Sequence, residues 1–110
     1  MIRVTVYKTV RHEYAGFDME GHAGYEDPGQ DIVCAAVSAL VINALNSIEH
    51  FTEDETTCVS EEESGRIEFR FKELPSHDAG LLLDSMLLGL EEIEASEEYE
   101  PYIDIIFKEV

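Results

Sequence analysis

The stretch RIEFRFKELPSHDAGLLLDSMLLGL, residues 66–90, changes its apolar period halfway along. Ile67, Phe69 and Phe71 alternate with Glu68, Arg70 and Lys72, the period of two that belongs to a half-buried strand. After Pro75 the spacing lengthens. Leu82, Leu83, Met86, Leu87, Leu90 and Ile93 form the stripe of an amphipathic helix, with Ser76 placed to cap its N-terminus. A strand followed at once by a helix that must cover it sets the theme for the rest of the chain.

Working outward, Ile2, Val4 and Val6 alternate with Arg3, Thr5 and Tyr7 as a first strand, and a second is expected over 13–20. Gly21, Gly24, Pro28 and Gly29 punctuate a loop, and Asp31 is placed to cap a helix over 31–50. That helix is apolar on most of its circumference (Ile32, Val33, Ala36, Val37, Leu40, Val41, Ala44, Leu45, Ile48). A helix so apolar buries more than one side, one on a sheet and another on a second copy of the chain, so a homodimer is expected. A strand over 56–60, with Cys58 in the core, and a turn at Glu61, Glu62, Glu63, Ser64 and Gly65 follow. Beyond the second helix, the acidic run from Glu91 to Glu100 stops at Pro101, and a last strand turns Ile103, Ile105 and Phe107 inward. The order ββαββαβ suits an α+β fold, a single largely antiparallel sheet with two helices packed on one face. At 110 residues the chain is expected to form one domain, 1–110.

Seven Lys and Arg against 25 Asp and Glu give a formal charge of -18, which repels phosphate backbones and anionic membrane surfaces and attracts a basic partner. No direct nucleic-acid or membrane binding is expected. A solvated, solubilising surface explains the same acid without any partner. The N-terminus MIRVTVYKTV reads as a strand rather than a signal peptide, and the apolar run 32–45 is interrupted by Ser38 and Asn43 and shorter than a membrane span. A cytoplasmic protein is expected, in which the only two cysteines, Cys34 and Cys58, are free thiols, the alternative being a single disulfide between them. No cofactor is implied, and no metal, because His22, Cys34 and Cys58 lack the close ligand pairs of a zinc site. The glycine-rich loop lacks the Lys and Ser/Thr of a phosphate-binding loop, and Glu26 and Asp27 would repel phosphate.

His22 and Cys34 flank that loop, twelve positions apart. In the first turn of the expected helix Cys34 would meet unpaired N–H groups and the positive end of the helix dipole, which favour a thiolate. His22 could fold back to exchange its proton, the minimum equipment for acyl transfer, with backbone N–H groups at the helix start, including that of Cys34, receiving the oxyanion. Ser38 lies one turn beyond Cys34 on the same face. Asp31 either caps the helix or orients His22, although its charge opposes the thiolate. The competing reading of these residues is a loop histidine and a buried cysteine.

Gly21, His22 and Ala23, followed by Gly29, Asp31, Ile32, Val33, Cys34, Ala35, Ala36, Val37 and Ser38, resemble the signature of the bacterial ribosomal-processing cysteine protease family, formerly a family of unknown function. The resemblance is dense over 21–38 and is one of pattern elsewhere. It implies Cys34 as nucleophile and His22 as its acid-base partner. It implies a mobile substrate loop containing Gly21, Ala23, Gly24 and Gly29, which Pro28 stiffens at one end. It also implies a homodimer that removes a short hydrophobic N-terminal extension from a basic precursor, large-subunit ribosomal protein number twenty-seven. The alternative from another class is a non-catalytic acidic partner of a basic ribosomal protein or assembly intermediate.

Overall fold

A computed structural model describes residues 1–21, 28–61 and 63–110, and for 28–30 the backbone alone. Its elements are β1 (Ile2–Lys8), β2 (Tyr14–Glu20), α1 (Pro28–Phe51), β3 (Thr56–Glu61), β4 (Arg66–Phe71), α2 (His77–Ala95), a 3-10 turn (Glu100–Tyr102) and β5 (Ile103–Glu109). The expected order ββαββαβ is the observed one. The five strands form one sheet ordered β3-β4-β2-β1-β5. Pairings β1–β2, β2–β4 and β3–β4 are antiparallel, and β5 joins β1 in parallel, so the sheet is mixed and largely antiparallel.

Register follows the alternation of the sequence. Val4 faces Met19, Val6 faces Phe17 and Phe17 faces Phe69, which puts one continuous apolar surface on one side of the three central strands. The Phe17 and Phe69 rings lie 5.3 Å apart. Both helices cover that surface: Val33, Val37, Val41, Ala44 and Ile48 of α1 and Ala79, Leu83, Met86, Leu87 and Leu90 of α2 join Ile2, Val4, Phe17 and Phe69 in one buried cluster. By length and apolar composition 31–51 also passes for a membrane span, yet this row is buried on the sheet as in a core helix. Ser76 caps α2 as expected, accepting from Ala79 N–H at 3.1 Å. Its own N–H and hydroxyl donate to Asp54, which fixes the turn after α1 to the start of α2.

Three expectations change. α1 begins at Pro28, not at residue 31, so Pro28 and Gly29 belong to the helix and Asp31 lies inside its first turn instead of capping it. Proline is compatible with that first position, where its missing N–H and fixed φ cost nothing. Cys58 is exposed rather than in the core, because β3 is an edge strand that overhangs the helical layer and all of it past Thr56 is exposed. Phe107 is 53% exposed at the far end of the other edge strand, while Ile103 is buried and Ile105 half-buried.

Candidate active site

β2 ends where β1 begins, with Glu20 paired to Arg3. There Gly21 has φ +95°, and a Cβ on it would come within 2.3 Å of the Met1 carbonyl oxygen. Only glycine adopts that conformation freely, so residue 21 lets β2 finish against the N-terminus and turn away from the sheet. Beside it a cleft of about 470 Å³ opens among Arg3, Glu20, Gly21, Glu61, Ser64 and Arg66. His22, Ala23 and Gly24, all named from the sequence, lie outside the described residues. So do Glu26 and Asp27.

From Pro28, α1 carries Cys34 in its second turn, half-buried and packed against the core cluster. Ser38 follows one turn on, also half-buried, and Asp31 one turn before, exposed. Their spacing places all three along one flank of the helix. The shift of the helix start to Pro28 alters the expected chemistry. Unpaired N–H groups belong to a helix's first turn, so the Cys34 amide falls in the hydrogen-bonded part of α1 and is committed within the helix. It is not an oxyanion donor, and the dipole, which acts within the first turn, gives Cys34 less support than expected.

Both cysteines are free. Although Cys58 is exposed, the partial desolvation it retains beside the sheet raises its thiol above the usual range, the wrong direction for a nucleophile at neutral pH. Among the described residues no group of three or more His, Cys, Asp or Glu converges as metal ligands would. The spacing of α1 pointed to its Cys34 flank, but nothing in the sequence pointed to a groove farther along that flank, where Leu45 and Glu49 meet Thr56, Cys58 and Phe69, because an exposed edge strand reads like a buried one.

A profile of the family described as Cysteine protease Prp matches residues 1–104. The chain belongs to that family. Ribosomal processing cysteine protease Prp of Bacillus subtilis (strain 168) is 34% identical over 98 residues, 86% of this chain and 88% of its own. The protein of the same name from Staphylococcus aureus (strain NCTC 8325 / PS 47) is 34% identical over 107 residues, covering 96% of this chain and 99% of its own. Crystal structures of an essential ribosomal processing protease Prp from S. aureus superimpose with a TM-score of 0.89 in complex with a substrate peptide and 0.86 with a covalently linked product peptide. Each is 30% identical and covers 98% of this chain and 100% of its own. Membership in the Prp family makes this chain a cysteine protease, and the alternative of a non-catalytic acidic partner gives way.

Proposed function

We propose that residues 1–110 form a single protease domain that cleaves a ribosomal protein precursor, with Cys34 as nucleophile and His22 as its acid-base partner. The observation that carries the assignment is the contrast between the two thiols. Cys34 is half-buried on α1, packed against the core cluster on the flank it shares with Asp31 and Ser38, whereas Cys58 lies exposed on an edge strand where partial desolvation raises its thiol. The names of the Prp relatives, which are ribosomal processing proteases, support the substrate class.

In this reading His22 takes the Cys34 proton, and the thiolate adds to the scissile carbonyl. Collapse of the tetrahedral adduct breaks the C–N bond while His22 returns the proton to the leaving amine, and a thioester remains. Water, deprotonated by His22, then hydrolyses the thioester and restores the thiol. Oxyanion donors come from outside the Cys34 backbone. Gly29, inside α1, stays with the helix. Ser38 and Asp31 border the nucleophile on the same flank, Ser38 as a hydrogen-bonding neighbour and Asp31 as a charge acting on His22.

The finer substrate assignment is a short hydrophobic N-terminal extension of large-subunit ribosomal protein number twenty-seven, removed in the cytoplasm during ribosome assembly without a cofactor, metal, nucleic acid or membrane. Mass spectrometry of the same organism's precursor after incubation with wild type and with Cys34→Ala tests it. One defined cut by wild type and none by the variant is expected; a cut by Cys34→Ala would remove Cys34 from its role.

A homodimer belongs to the same reading. Ile32 and Ile42 on α1 and Leu81 and Leu88 on α2 are about half exposed or more, on helices whose other faces are already buried. Light scattering is expected to give twice the 12.4 kDa chain mass. A mass of one chain would overturn the dimer.

A further inference from the structure

One side of the buried row of α1 faces α2: Leu40 lies beside Gly89, where an added Cβ would come within 2.9 Å of a Leu40 methyl. The helical spacing puts Cys34, Ser38 and Leu45 on the opposite side of that row, away from α2 and above the β4–β3 edge. The contacts farther along α1 agree with this. Leu45 and Glu49 share a groove of about 310 Å³ with Phe69 of β4, Cys58 and Thr56 of β3, and Glu53 of the connecting turn. It exists because β3 extends the sheet past the helices.

The groove has a definite chemistry. Leu45, Phe69 and Cys58 give it an apolar lining, and the exposed carboxylates of Glu49 and Glu53 stand at its rim. Asp54, also at the rim, is held by Ser76. No Lys or Arg occurs on α1, on β3 or in the turn between them to neutralise the rim. Leu45 is eleven residues beyond Cys34, roughly 16 Å along the helix axis at 1.5 Å per residue. An extended peptide covers that distance in about five residues.

We infer that this groove seats the apolar segment of the substrate, and that Glu49 and Glu53 receive a positive ammonium or guanidinium about five residues from the scissile bond. The inference rests on Cys34 as nucleophile and adds a specificity determinant to that reading. The cation is either a Lys or Arg side chain or the free N-terminal ammonium of the precursor, which share the chemistry that the rim recognises.

Cys34→Ala leaves Cys58 as the sole thiol, so the groove carries its own reporter. A fluorescent synthetic peptide spanning the precursor's cleavage region is titrated against Cys34→Ala, and maleimide labelling of Cys58 is timed with and without it. At a peptide concentration well above its Kd, labelling is expected to slow by about tenfold, since only the unbound fraction reacts. In wild type carrying Glu49→Gln and Glu53→Gln together, KM for the cationic peptide is expected to rise roughly threefold with kcat unchanged, because exposed charge pairs are weak. N-terminal acetylation or Lys→Ala in the peptide identifies the source of the cation by reproducing that rise. Tight binding that leaves Cys58 labelling at its free rate would overturn the groove while wild-type cleavage keeps the protease reading intact. Wild type that leaves the peptide uncut would overturn that reading and the groove with it.

Discussion

The hydroxyl of Tyr14 donates to Asp84 Oδ1 across 2.5 Å, joining the first residue of β2 to the middle of α2. The two are seventy positions apart in sequence, and the Lys8 ammonium sits 4.7 Å above the Tyr14 ring from β1. Tyr14→Phe keeps the packing and removes the bond. Asp84 is exposed and regains water, so the expected loss is about 1 kcal/mol in urea unfolding at pH 7. Burial first, then the bond to Asp84 and the charges of Asp84 and Glu91, raise the Tyr14 phenol well above its usual value of 10.0. A group raised on folding contributes stability that is present below the unfolded pKa and lost above it. The wild type should therefore lose stability more steeply than Tyr14→Phe as pH rises past 10, and parallel curves would show that the phenol titrates alike in both states.

On the open face of the sheet, Asp18 accepts from Tyr7 and from Arg70, each at 2.7 Å, and the Arg70 guanidinium lies 4.4 Å from the Tyr7 ring centroid. Gly16 makes room: a Cβ there would come within 2.1 Å of the Phe69 carbonyl oxygen and 2.9 Å of Arg70 Cδ. Burial alone would raise the Asp18 carboxyl, but the hydrogen bonds from Arg70 and Tyr7 outweigh it and hold the group below its usual range. The stabilisation is thus present above about pH 4, the unfolded value, and is lost as pH falls through the folded one. Arg70 is 41% exposed, so solvent screening limits Asp18→Asn to a loss of about 1 kcal/mol at pH 7. Thermal melts should bring variant and wild type together near pH 2, and an equal gap at both pH values would disprove the linkage.

Much of this architecture was legible because local periodicity and burial agreed. The alternation in β4, the Ser76 cap and the Leu83, Met86, Leu87 and Leu90 stripe all describe segments whose environment their own sequence dictates. Cys58, Phe107 and the start of α1 were not. The first two depend on how far the helices reach over the sheet edges, which is a property of the assembled layers. The start of α1 turns on Pro28 and Gly29, residues that punctuate loops more often than they open helices. The family was legible from the residues that carry its resemblance, while the Leu45, Phe69 and Cys58 groove arises only when α1 and the sheet edge meet.

Gly21 offers a test at the end of β2. Its φ of +95° and the 2.3 Å approach of a Cβ to the Met1 carbonyl mean that Gly21→Ala must either strain the backbone or push the N-terminus aside. The expected cost is about 1–3 kcal/mol in urea unfolding. Because residue 22 follows directly, cleavage should fall further than the lost stability explains, with kcat reduced even at temperatures where the variant is fully folded. A variant with unchanged kcat below its melting transition would confine Gly21 to a structural role.

The excess of acid is not spread evenly. All seven Lys and Arg (Arg3, Lys8, Arg11, Arg66, Arg70, Lys72 and Lys108) lie in strands or the turns beside them, and neither helix carries one. The helical layer, which holds Cys34, therefore presents uncompensated carboxylates, including Asp31, Glu49, Asp84, Glu91 and Glu92, to an approaching basic protein. Attraction of that kind acts at distance and is screened within about 8 Å at physiological salt and about 3 Å at 1 M. Raising salt should increase KM for the full-length basic precursor severalfold and leave KM for a short neutral peptide nearly unchanged, because only the former is gathered by the field. Steady-state cleavage of both substrates from 50 mM to 500 mM salt measures the difference. Equal sensitivity would show that the carboxylates of the helical layer serve solubility alone.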